Sequence, residues 1–126
     1  MAARTLHQQN FTFRRDVVEI TGKGTGASAA DLTALNAPGI TSIAYNAATG
    51  KLKITLEDKW NSLLFFAGTV IDATTPDDWE VVVESEDVAG AKTISIACFK
   101  GGTLADLTTD EKLMVLIKLS NTSRTR

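Results

Sequence analysis

The sequence predicts an all-β fold, an antiparallel β-sandwich or jelly-roll-like barrel with one or two short helical turns. Three observations carry that prediction. Apolar and polar residues alternate with period two along most of the chain. Gly, Pro, Asp and Thr-rich punctuation separates the alternating runs, and no helical pattern lasts beyond about two turns.

The clearest strand is Lys51-Leu52-Lys53-Ile54-Thr55-Leu56-Glu57, where Leu52, Ile54 and Leu56 share one face and polar groups the other. Ile40–Tyr45 precedes it across Asn46-Ala47-Ala48-Thr49-Gly50, a polar connector whose glycine tolerates positive φ, so the pair reads as a β-hairpin. Further strands are expected at Phe11–Thr21, Leu64–Asp72, Trp79–Ser85, Lys92–Phe99 and Lys112–Ser120. Seven strands in 126 residues suit a sandwich or small barrel. Ser28-Ala29-Ala30-Asp31 resembles a capping box ahead of Leu32 and Leu35, and Pro38-Gly39 ends that turn. Asp58 is placed to cap a single turn carrying Trp60, Leu63 and Leu64. The segment Gly22–Ser28 reads as a flexible surface loop.

With 44% hydrophobic and 22% charged residues, the composition is that of one folded domain. A domain of this size hides roughly two thirds of the surface its unfolded chain exposes. The expected organisation is a flexible arm over residues 1–9, one β domain over 10–121 and a short tail over 122–126. Thirteen Lys and Arg against 15 Asp and Glu leave a net charge of −2, without the basic excess that nucleic-acid binding requires. No apolar run approaches the ~20 residues of a membrane span, and no secretory signal is evident at the start.

Catalytic constellations are not found. His7 is the one histidine and falls in a polar stretch, while Cys98 alternates in phase with Ile94 and Ile96 as a buried, inert thiol. Two such ligands are too few for zinc, and no disulfide can form within the chain. Gly22-Lys23-Gly24-Thr25 lacks the spacing of a phosphate-binding loop, and Gly90-Ala91-Lys92-Thr93 lacks the second glycine. Carboxylates at Asp77-Asp78, Glu84 to Asp87, and Asp106 with Asp110-Glu111 read as solvated strand ends; oxygen-only calcium binding is the sharper alternative. Asn10-Phe11-Thr12 and Asn121-Thr122-Ser123 match the glycosylation tripeptide without a signal to use it. No cofactor is expected.

Two groups of residues point instead to association. Leu113-Met114-Val115-Leu116-Ile117 is apolar on both faces of its strand, and Val82 and Phe99 interrupt the outer faces of theirs. Either the loop around Leu32 and Leu35 covers the second face, or it is a homo-oligomer interface containing Val82, Phe99, Met114 and Leu116. Phe11, Phe13, Arg14 and Arg15 form the second group, readable as a contact arm or as the start of the first core strand.

Gly39–Tyr45, Thr49–Leu56 and Asp58–Leu64, together with Gly102–Leu107 and a strand closing on Asn121-Thr122-Ser123, resemble a pattern found in small virion proteins of tailed bacteriophages. The resemblance covers roughly residues 10–123 and departs from the pattern in its long Gly/Ala segment at 22–37. It implies a capsid decoration or cement protein made in the host cytoplasm and seated on the outer capsid surface. It further implies a homo-oligomer, usually a trimer, that binds the major capsid protein, with Phe11, Phe13, Arg14 and Arg15 as the contacting arm. The alternative is a carbohydrate- or receptor-binding module, as in a tail fibre, using Trp60 or Trp79, which otherwise read as core residues.

Overall fold

A computed structural model describes residues 17–33, 36–73 and 78–121. Among these residues eight strands run β1 (Val17–Thr25), β2 (Ile40–Tyr45), β3 (Lys51–Leu56), β4 (Ser62–Asp72), β5 (Trp79–Asp87), β6 (Thr93–Lys100), β7 (Thr103–Leu104) and β8 (Glu111–Ser120). They form two antiparallel sheets, one ordered β1-β8-β4 and the other β2-β3-β6-β5, with β7 paired to β6. The fold is the all-β sandwich expected from the alternation.

Period-two patterning places the core between the sheets. Ile20, Leu113, Val115, Ile117 and Leu119 face inward from the first sheet, and Leu52, Ile54, Leu56, Ile94, Ile96 and Cys98 from the second, joined in one cluster by Ile40 and Ile43. Burying each such side chain contributes about 1.5–3 kcal/mol. Leu32, Val88 and Leu107 come from the connecting segments and plug the open sides.

The Gly22–Ser28 segment is not a flexible loop throughout. Gly22, Lys23, Gly24 and Thr25 continue β1, in register with Val115, Met114, Leu113 and Lys112. The glycines take the inward positions because the chain crossing there leaves no space. A Cβ at Gly22 meets Ala37 Cβ at 2.7 Å, and one at Gly26 meets Leu107 Cβ at 2.6 Å. Composition suggested flexibility; close packing is what the glycines serve.

No helix occurs among the described residues. The turn expected at Ser28 is a bend in which Ser28 and Ala29 take positive φ (37° and 55°), and the segment returns along the outer edge of β1. There Thr25 and Thr33 exchange backbone hydrogen bonds, and the amide of Asn36 donates to the carbonyl of Lys23. Asp58 also lies in a bend, not a capped turn. From that bend the chain crosses between sheets, with the Trp60 amide donating to Val88 O and the Asn61 amide to Ser120 O.

Gly101-Gly102, read as punctuation, is a two-residue hairpin turn with φ of 60° and 85° that adds the short β7. Gly50 closes the β2–β3 hairpin at φ +75°, and a Cβ there meets Cys98 O at 2.8 Å and Ala105 N at 3.0 Å. Both obstacles are backbone atoms. Gly50→Ala is therefore expected to destabilise the domain by more than the ~1–2 kcal/mol of left-handed strain alone, measured as a lowered urea midpoint at unchanged m-value.

Candidate functional site

Three features have chemical character: a charged cluster at one end of the sandwich, the buried thiol, and the outer faces of the two sheets.

Asp72 and Glu111 are partners in the β4–β8 register and both are buried. Lys100 reaches them from the opposite sheet, its Nζ 3.6 Å from Asp72 Oδ2 and 3.7 Å from Glu111 Oε2. The same ammonium lies 5.4 Å from the Trp79 ring centroid, and the Trp79 indole N–H donates to Asp72 Oδ2 at 3.4 Å. The Thr108 amide and hydroxyl donate to Glu111 Oε1 at 2.7 and 3.2 Å. Carboxylates on one sheet and a cation on the other make an electrostatic clasp between layers. Among the described residues no group of three His, Cys, Asp or Glu side chains could hold a metal ion.

Cys98 is fully buried on β6. Burial, and secondarily the negative charge of Asp106, push its thiol up to about 12. Asp106 itself accepts the Gly50 amide at 2.7 Å, which ties the β2–β3 turn to the segment before β8. Neither tryptophan forms an open platform. Trp60 and Trp79 both pack against the core, and the Trp60 indole N–H is buried without a hydrogen-bond partner among the described residues.

The outer face of β1-β8-β4 differs from both. Its central strand presents Lys112, Met114, Leu116 and Lys118 outward, since Leu113, Val115, Ile117 and Leu119 point into the core. In register beside them lie Phe65, Ala67, Thr69 and Ile71 on β4 and Glu19, Thr21 and Lys23 on β1. Phe65 is 53% exposed, Ile71 40% and Met114 39%. The small neighbours of Met114 and Leu116 leave a depression of about 400 Å³ lined by Thr21, Lys23, Ala67, Thr69, Met114 and Leu116. Lys118 pairs with Glu19 at 3.5 Å, while Lys23 and Lys112 have no ion-pair partner among the described residues.

Of the described residues of the Leu32 segment, Asn36 lines the edge of this depression. Leu32 turns into the core, its amide donating to Ile43 O, and Leu35 lies outside the described residues. Of the four residues expected at an oligomer interface, Met114 and Leu116 belong to this face. Val82, 40% exposed, and Phe99 lie on the outer face of the other sheet, beside Glu80, Ala97 and the Glu84–Lys51 ion pair. The structure therefore separates the set into two patches on opposite sides of the sandwich. Phe11, Phe13, Arg14 and Arg15 lie outside the described residues.

The sequence signal for Met114 and Leu116 was the run of apolar residues in both phases of one strand. Phe65 and Ile71 carry the same signal within the apolar run of β4, which reads equally well as a core strand. Only the register with β8 adds them to the face. Compared with protein-family models, curated proteins and solved structures, the chain finds no match.

Two outcomes test these assignments. In the native protein Cys98 is expected to resist a thiol-specific chromogenic reagent at neutral pH, because the thiolate is the nucleophile, and to react within the dead time once denaturant is added. Lys100→Met is expected to lower stability by about 2 kcal/mol, below the 3–5 of a fully buried pair because the lysine is partly solvated, as read by chemical denaturation.

Proposed function

We propose that this chain is a non-enzymatic structural protein that works by association, decorating and stabilising a phage shell as an oligomer. The single observation that carries the association is the outer face of β1-β8-β4, where Phe65, Ile71 and Met114 stand exposed around an apolar depression. A soluble single domain gains nothing from so many apolar side chains in water on one face, and patches of this kind mark contact sites.

The virion setting rests on the resemblance of residues 39–64 and 102–123 to small phage virion proteins. In this reading the major capsid protein is the partner and Phe11, Phe13, Arg14 and Arg15 are the residues that grip it, aromatic and arginine side chains being those that dominate interface energetics. Clamping is non-covalent. The clasp of buried Asp72 and Glu111 with the partly solvated Lys100 holds the two layers together.

The test is co-sedimentation of the chain with shells assembled from the major capsid protein encoded beside it. Binding at a fixed ratio per capsomer is expected, with loss of at least tenfold in affinity when residues 1–15 are removed. A chain that stays in the supernatant at saturating concentration overturns the shell reading, and undiminished binding by the truncated chain overturns the arm.

A further inference from the structure

We infer that Lys100 and Asp72 condense with one another into an amide cross-link between the two sheets, with Glu111 carrying the proton. The inference is independent of the shell reading and concerns only the charged cluster at one end of the sandwich.

Distance alone does not set this cluster apart; its surroundings do. Lys118 and Glu19 approach as closely, at 3.5 Å, and Lys51 pairs with Glu84, yet those carboxylate side chains are 35% and 38% exposed. The side chains of Asp72 and Glu111 are 2% and 7% exposed, and one ammonium meets both, at 3.6 and 3.7 Å. Register sets the two acids side by side on β4 and β8, and β6 delivers the amine from the opposite layer. An ion pair requires one acid. Condensation uses two, one carboxyl to be attacked and one to move a proton.

The hydrogen bonds assign those roles. The Thr108 amide and hydroxyl both donate to Glu111 Oε1, at 2.7 and 3.2 Å, which fixes this carboxylate and leaves Oε2 toward the lysine nitrogen. A positioned carboxylate in reach of an N–H is the arrangement of a general base. Asp72 Oδ2 instead accepts the Trp79 indole N–H at 3.4 Å. A donor on that oxygen stabilises the negative charge that develops there as Cγ becomes tetrahedral. The Trp79 ring, its centroid 5.4 Å from Nζ, walls the nitrogen on one side. Strands hold all the groups in place, so attack is intramolecular and its entropic cost is met by folding. The Lys100 side chain is 29% exposed, which leaves a way out for released water.

The ammonium passes one proton to the Asp72 carboxylate, and the neutral amine attacks Cγ, forming the C–N bond. Glu111 Oε2 takes a second proton from the nitrogen and returns it to the Asp72 hydroxyl; the C–O bond breaks and water leaves. The oxygen of that water comes from Asp72 and both protons from Lys100, so Glu111 ends as it began and nothing is oxidised or reduced. The amide closes the 72–100 segment into a covalent loop, which restricts the unfolded chain. It adds to the contribution of the ion pair, and Lys100→Met of a linked chain loses both.

The intact mass of the unaltered protein in denaturant tests this. The chain is expected to be lighter by one water than its sequence requires. Trypsin is then expected to release residues 60–92 joined to residues 93–112, with no cleavage after Lys100, because the acylated nitrogen no longer carries the charge the protease reads. Lys100→Met, Asp72→Ala and Glu111→Gln are each expected at full sequence mass, and the near-isosteric Glu111→Gln with the circular dichroism of the unaltered chain. An unaltered chain at full mass overturns the proposal without recourse to any variant. So does a missing water that fragmentation places within residues 60–92 alone, as a cyclic imide, or in a link from Lys100 to Glu111. A folded Glu111→Gln chain still lighter by one water overturns the role given to Glu111.

Discussion

β8 is the strand on which the rest of the sandwich depends. It is the central strand of its sheet, hydrogen-bonded along its length to β1 on one side and to β4 on the other. Leu113, Ile117 and Leu119 on its inner side are fully excluded from solvent, with Val115 close behind. A strand that supplies four core side chains and two ladders has its register held from three directions, because a one-residue slip turns the whole apolar set outward. In β8 such a slip exchanges one apolar row for another. The lysines at 112 and 118 break this degeneracy, since they tolerate the outer side and not the inner.

The inner surface of β1 solves a different problem. At Gly22 and Gly24 the strand has no side chains, and the space is filled from across the sandwich by Ala37, Ile40 and Leu32. The segment that delivers Ala37 and Leu32 also bonds to the open edge of β1 through Thr33 and Asn36. An exposed strand edge invites pairing with other chains, so part of this edge is occupied internally. Among the described residues that segment is committed to the edge and the core, and Asn36 alone of it reaches the depression on the outer face of β8.

Much of the fold was legible because alternation is a local consequence of strand geometry. The β2–β3 hairpin follows from Leu52, Ile54 and Leu56 and from a glycine where φ must be positive. The glycines at 22, 24 and 26 misled because composition registers conformational freedom, whereas their role is set by Ala37 and Leu107, residues brought near by packing. The Asp72–Glu111–Lys100 clasp was equally hidden. Asp110-Glu111 read as a solvated strand end, yet Glu111 begins β8 as a buried carboxylate matched by a lysine on the opposite sheet.

By itself the sequence determined the all-β class, most strand positions, the burial of Cys98 and the doubly apolar character of β8, since each depends on periodicity within a few residues. Strand order and the relation between distant side chains were decided only in three dimensions. Phe65 and Ile71 join Met114 and Leu116 because β4 pairs with β8, while Val82 and Phe99 are carried to the opposite side because β5 and β6 belong to the other sheet. Alternation states that a side chain faces one way or the other. Which sheet it belongs to, and therefore which surface it builds, is settled by the long-range pairing that closes the core.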